Sequence, residues 1–141
     1  MTTESTYKRP LPMIDRPATA PYWAGAKIGE LRLQKCAACA HIWFPPSICC
    51  PKCLGEDYAW VKASGKATLW SWIDMWQLYF PGFADERPYT VAYVKLEEGP
   101  MMMSGLMDYD RSELAIDMPL EVVFDAVTKE VTLPKFRPVK K

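Results

Sequence analysis

The sequence predicts a mainly β protein in which an N-terminal helix and a four-cysteine zinc ribbon precede a five-stranded OB-fold barrel. Three observations predict it. Two Cys-x-x-Cys pairs, Cys36/Cys39 and Cys50/Cys53, stand ten residues apart, a spacing at which two tight knuckles aim four thiolates at one tetrahedral ion. Beyond residue 64, apolar residues recur with the period of two that marks strands. A single capped turn falls between the third and fourth of these runs, and five strands with that insertion are the order of an OB barrel.

Taken in order, the first 18 residues carry Pro10, Pro12 and Pro17 without a hydrophobic period, which reads as an extended arm lying on a surface. A short helix follows, with Thr19 as cap, Pro21 in the first turn, Tyr22, Trp23, Ala26 and Ile28 as apolar stripe, and Gly29 as left-handed terminator. The expected division is 1–29 for arm and helix, 30–60 for the ribbon, and 61–141 for the barrel with its tail. In 67–76, strict alternation puts Thr68, Trp70, Trp72, Asp74 and Trp76 on one face and Leu69, Ser71, Ile73 and Met75 on the other. Further strands are expected over 89–96, 101–107, 120–124 and 130–133. Asp110 caps a turn with Glu113 at its third position.

Composition narrows the function. A chain of 141 residues with 50% hydrophobic and 24% charged residues is long enough for one compact domain with a genuine core. Seventeen basic residues balance seventeen acidic ones, and the pI is near 6.6. A dedicated nucleic-acid binder would be far more basic. Zero net charge also weakens self-repulsion and favours association with a partner, which points to a subunit. The N-terminal residues lack the apolar region of a secretory signal, and no span of about 18 apolar residues occurs. The chain therefore reads as soluble and cytoplasmic.

The cysteine pairs carry the strongest chemical signal. Zn²⁺, one per chain on Cys36, Cys39, Cys50 and Cys53, is the default occupant, because it tolerates an all-thiolate tetrahedron and has no redox chemistry. Four protein ligands leave no open position, so the site is structural. Cys49 competes with Cys50 for the ligand role, but the Cys-Pro-x-Cys spacing favours Cys50, leaving Cys49 as a small apolar residue or a reactive thiol. An iron–sulfur cluster and a disulfide are the other readings, the latter disfavoured by the cytosolic context and the odd count of five. His41 reads as a surface residue or an outer partner of the metal site.

A single histidine precludes an obvious Ser-His-Asp or Cys-His pair, and no phosphate-cradling glycine loop occurs. Glu97 and Glu98 precede Gly99-Pro100, the turn residues of a hairpin end. No catalytic centre is evident. Aromatics instead crowd the middle of the chain: Trp70, Trp72, Trp76, Tyr79, Phe80 and Phe83. On an OB barrel they would stack bases if the chain bound single-stranded nucleic acid, yet only Lys62, Lys66 and Arg87 accompany them. A core or a subunit interface uses the same residues. The segment 78–88 is too apolar for an idle loop and is expected to cover a partner or ligand, with Trp76, Tyr79, Phe80 and Phe83 in contact. Met101, Met102, Met103 and Met107 read as core filling.

The order of motifs, an aromatic pair on the helix, Gly-Glu-Leu-Arg-Leu-Gln-Lys-Cys-x-x-Cys, Phe-Pro-Pro, Cys-Pro-x-Cys, Gly-Lys-Ala-Thr-Leu-Trp-Ser-Trp and Pro-Tyr-Thr-Val-Ala-Tyr-Val, resembles a known family. Its members are small zinc-ribbon plus OB-fold proteins that accompany thiolases and related acyl-CoA condensing enzymes. The resemblance covers about residues 22–137. It implies a non-catalytic subunit of a hetero-oligomer with a thiolase-fold partner, the acyltransferase of β-ketoacyl-CoA thiolysis, and a coenzyme A thioester as ligand of the complex. Within the family, the aromatic-rich middle and short length are similar to the zinc-finger subunits of benzoylsuccinyl-CoA thiolases, which implies an aromatic acyl group. Coenzyme A phosphates imply a nearby cation, for which Arg87, Arg137 and Lys135 are the candidates. A pure scaffold linking two acyl-CoA enzymes is the other role the likeness allows. Three departures stand out: Ala40, Leu54 and Asp117 occupy positions where the family usually has glycine, and the first two would be strained if positive φ is required there.

Overall fold

The computed structural model describes residues 7–140. Residues 7–16 run without regular structure and lead into α1, Ala20–Lys27. Pro21 lies in the first turn, where its missing N–H costs nothing. Gly29 follows the helix at φ 81, in the left-handed region reserved for such endings. The stripe is narrower than expected. Tyr22 and Ala26 are buried, whereas Ile28 forms the C-cap and is 65% exposed, because the chain has left the helical rotation there. Thr19 stands at the N-cap without a side-chain capping bond.

The ribbon sheet comprises β1, Arg32–Cys36, β2, Ile42–Trp43, and β3, Tyr58–Lys62, in the antiparallel order β2-β1-β3. The expected boundary at residue 60 falls inside β3. The second sheet contains β4, Lys66–Met75, β5, Tyr89–Leu96, β6, Met101–Gly105, β7, Pro119–Ala126, and β8, Thr132–Pro138, in the order β6-β5-β4-β7-β8. A parallel bridge from Leu106 to Phe136 joins the two ends. The Met107 amide donates to the Phe136 carbonyl at 2.8 Å and the Ser104 hydroxyl to that of Pro134 at 2.9 Å. The result is a nearly closed five-stranded OB barrel, as the strand order predicts. Asp110 caps the expected turn, a 3-10 helix over Arg111–Glu113, by accepting from the Ser112 amide.

Two strands depart from the periodic reading. β4 and β5 change register between Leu69 and Ser71, so a bulge at Trp70 switches the faces of β4. Ala67 and Leu69 point inward before it. After it, Trp72 and Asp74 take the inner side, opposite buried Ala92 and Thr90. The tryptophans therefore do not share one face: Trp72 packs against the core, while Trp70 and Trp76 are exposed. β8 runs through Pro134 and Pro138, well past the expected end at 133. As the last strand of the ladder it needs few donors on its far side, where the Pro134 carbonyl accepts instead.

One apolar core spans both sheets. Tyr22 from α1 and Leu31 and Leu33 from the ribbon pack with Leu69, Val94, Leu120 and Phe136 from the barrel. Met102 belongs to it, whereas Met103 is exposed, so the methionine run fills the core only in part. Among the described residues, no helix is long and apolar enough to cross a membrane.

Candidate functional site

The metal centre arises from two copies of one knuckle. The Cys36 amide donates to the His41 carbonyl at 2.9 Å and the Ala40 amide to the Cys36 carbonyl at 3.0 Å. Fourteen residues later, the Cys50 amide donates to the Gly55 carbonyl and the Leu54 amide to the Cys50 carbonyl, both at 2.8 Å. Each knuckle thus places its two cysteines identically. Ala40 and Leu54, at φ 62 and 65, occupy the left-handed corner that the glycine-for-family comparison anticipates. Asp117, at φ 64, does the same before β7.

The four sulfur atoms lie within 4.8 Å of one another. The Cys36–Cys53 and Cys39–Cys50 sulfurs are 3.5 and 3.7 Å apart, close to the roughly 3.8 Å edge of a tetrahedron with zinc–sulfur bonds of about 2.3 Å. Cys49 lies outside the group, its carbonyl accepting from the Ser47 hydroxyl. His41 is outside it too, its ring stacked on Trp43. Gln34, fully buried, exchanges two hydrogen bonds with the Ser47 backbone, and Trp43 Nε1 donates to the Ser47 hydroxyl at 2.9 Å. These bonds fix the loop that delivers the second knuckle.

The thiols are electrostatically prepared for a cation. Hydrogen bonding from the Cys39 backbone holds the Cys36 thiol down to about 7. Burial opposes ionisation of Cys50, but the Cys53 and Lys52 amides outweigh it and lower that thiol as well. At Cys53 the Gly55 amide favours the thiolate, yet the sulfurs of Cys36 and Cys39 crowd it and push it up to about 12. Four sulfurs this close cannot all ionise without a positive ion among them, and a divalent metal removes that conflict. The donor set fits a structural zinc ion.

The second candidate surface lies at the far end of the barrel. After β4 the chain exposes Trp76, Tyr79 and Phe80 at 67, 66 and 48%, then turns through a 3-10 helix over Pro81–Glu86. Phe83 is not presented with them. Its ring stacks on Tyr89 with centroids 4.5 Å apart, and the Arg9 guanidinium covers its other face at 4.1 Å. Arg87 is exposed. Arg137 is held on the β7–β8 ladder by Glu121, at 2.7 Å, and Lys135 by Asp125, at 2.7 Å. Of the expected contact residues, Trp76, Tyr79 and Phe80 thus stand exposed within five positions of the chain, while Phe83 and Arg137 are engaged elsewhere within it.

A polar network beside these rings has no clear mark in the sequence. Tyr109 donates to the Thr90 hydroxyl at 2.9 Å, Thr90 to Asp74 at 3.0 Å, and Arg111 pairs with the same carboxylate while lying 5.9 Å from the Trp76 ring. The Arg111 hydrogen bond, supported by Thr90, holds the Asp74 carboxyl below its usual range. The one available cue was an aspartate among tryptophans.

A rubredoxin-like ribbon feeding an OB barrel, with a metal centre and an exposed aromatic edge, defines a class of small zinc-ribbon/OB proteins. The chain belongs to the ChsH2 (DUF35) family: residues 23–59 match "ChsH2, rubredoxin-like zinc ribbon domain" and residues 60–125 match "ChsH2, C-terminal OB-fold domain". It is 36% identical over 140 residues to a probable enoyl-CoA hydratase alpha subunit of Thermomonospora curvata, covering 96% of this chain but only 43% of that relative. A DUF35 domain-containing scaffold protein of Methanothermobacter thermautotrophicus is 35% identical over 98 residues, covering 69% of this chain and 73% of that one. Among solved structures, an "Ltp2-ChsH2(DUF35) aldolase" chain superposes with a TM-score of 0.79 at 35% identity, covering 92% of this chain and 98% of the other.

Proposed function

We propose that the chain is a non-catalytic subunit that docks on a thiolase-fold acyl-CoA enzyme in the cytoplasm and helps to hold an acyl-CoA with an aromatic acyl group during β-ketoacyl-CoA thiolysis. The observation that carries this reading is the exposure of Trp76, Tyr79 and Phe80 on the loop that leads into the 3-10 turn, apolar surface that water disfavours and a partner would cover. The names of the relatives, a hydratase alpha subunit, a scaffold protein and an aldolase, support an acyl-CoA partner. They also favour a second reading, in which the partner is a hydratase or aldolase. Zero net charge supports neither a free-standing nucleic-acid binder nor attraction to bare phosphates.

Capture of the tagged chain from its native host, with identification of what it retains, tests the reading. Burying one such ring is worth roughly 1.5–3 kcal/mol, so Trp76→Ala and Phe80→Ala should each weaken the complex about ten- to a hundredfold. Zinc content and thermal midpoint should stay unchanged. Retention of the partner at parental affinity by both variants would remove this surface from the interface.

A further inference from the structure

We infer that the N-terminal arm is a built-in wall of a ligand cavity, latched by Arg9 to the 3-10 turn, and that this cavity receives an uncharged aromatic or alicyclic group rather than the phosphates of coenzyme A. The inference deepens the acyl-CoA reading and rests on it only for the identity of the natural ligand. A cavity of about 670 Å³ lies between the arm, the Pro81–Glu86 turn, residues of β5 to β8 and the loop after β6. That volume suits one small organic group.

The latch is specific. Arg9 Nε donates to the Gly82 carbonyl at 3.1 Å, its terminal nitrogen pairs with Glu86 at 3.0 Å, and its plane covers Phe83. This guanidinium, 16% exposed, uses its fork and its flat face together, which a lysine could not do. Gly82 makes the approach possible. A Cβ there would stand 2.8 Å from both the carbon and the oxygen of the Lys8 carbonyl, backbone atoms that cannot yield without moving the arm. Arg9 is therefore a positioning residue: it sets the place of Phe83 and Glu86, which line the cavity.

The charges in the wall select against an anion. Its two cations, Arg9 and Lys135, are each ion-paired, and against them stand three carboxylates, Glu86, Asp108 and Asp125, leaving the wall one charge negative. A polyphosphate would be repelled and would find no free cation there. Phe83, Tyr89, Met103, Leu106 and Leu133 instead offer rings, a thioether and branched carbon to an apolar guest.

Amide spectra of the ¹⁵N-labelled, zinc-loaded full chain test this with two probes, benzamide as a neutral aryl group and adenosine 3′,5′-bisphosphate as the phosphate end of coenzyme A. Benzamide should give saturable shifts confined to residues 7–9, 83–91, 103–109, 125 and 133–135, the residues around the cavity, with Kd about a millimolar, as expected for so small a ligand. The bisphosphate should shift none of them. Arg9→Ala and Gly82→Ala should each weaken benzamide at least about fivefold with the remaining amides unmoved, and Arg9→Lys should not restore binding fully. The inference is overturned if benzamide does not saturate, if the bisphosphate occupies the same amides more tightly, or if both variants bind benzamide like the parent. Because no partner is present, saturable benzamide binding combined with failed capture of any acyl-CoA enzyme would remove the docking reading alone.

Discussion

At the scale of single residues, the metal knuckles contain a measurable imperfection. Ala40 and Leu54 hold left-handed backbone, at φ 62 and 65, where a Cβ crowds the following carbonyl at a cost of about 1–2 kcal/mol. Glycine would relieve that strain but lose more entropy on folding, so Ala40→Gly and Leu54→Gly should each stabilise the chain by about 0.5–1 kcal/mol. Both side chains are exposed, so little packing is lost. The thermal midpoint should rise by about 1–4 °C per substitution, and no rise at either site would show that the corner is unstrained. Cys50→Ala should lose zinc, measured by metal analysis, while Cys49→Ala should retain it, since only Cys50 joins the sulfur cluster. Asp74 supplies a pH signature. Its folded pKa lies below the ordinary 3.8 because Arg111 and Thr90 bond the carboxylate, so its contribution is present above about pH 4 and is lost as pH falls through the lower folded value. Asp74→Asn should therefore lower the thermal midpoint at neutral pH, with the gap from the parent closing as pH falls below the ordinary 3.8 and through the lower folded value. A gap independent of pH would exclude the ionised pair as its source.

At the scale of elements, the spacing of the cysteines carried most of the information, because a knuckle is local: five residues and their own amides define where both sulfurs go. The turn at Asp110 was legible for the same reason. The strands were legible as strands but not in their faces. A single extra residue at Trp70 reverses every side chain after it, and no local property of Trp70 distinguishes a bulge from one more alternating position. β8 shows the converse. Its period was read as ending at 133, yet the strand continues through Pro134 to Pro138, because the ladder needs donors mainly from the residues between the two prolines. The aromatic loop divided similarly. Trp76, Tyr79 and Phe80 stand exposed, free for the partner or ligand contact expected of them, but Phe83 was claimed by Tyr89 and by an arginine 74 positions earlier in the chain. Arg9 carried no local signal, being one cation in a proline-rich arm.

At the scale of the whole molecule, the ribbon and barrel share one core through Tyr22, Leu31, Leu33, Leu69 and Phe136. Metal loss should therefore be felt beyond the ribbon. Removing zinc with excess chelator should withdraw on the order of 10–16 kcal/mol of apparent binding free energy from the ribbon and raise amide exchange both in β1 and in the barrel strands facing it. If exchange rises in β1 alone, the shared core does not couple the two sheets.

By itself the sequence determined the four-cysteine cluster, the ribbon-then-barrel order, the capped turn, the balanced charge and the presence of a strongly apolar loop. Each of these rests on neighbours a few residues apart, where backbone geometry and periodicity suffice. The tertiary structure alone decided which tryptophans face outward, that Phe83 is tucked under Arg9, that Lys135 and Arg137 are paired, and that the arm walls a cavity. Those outcomes depend on strand register and on contacts between distant segments, whose energies come from groups the chain brings together only when β4, β5 and β8 have closed around the core.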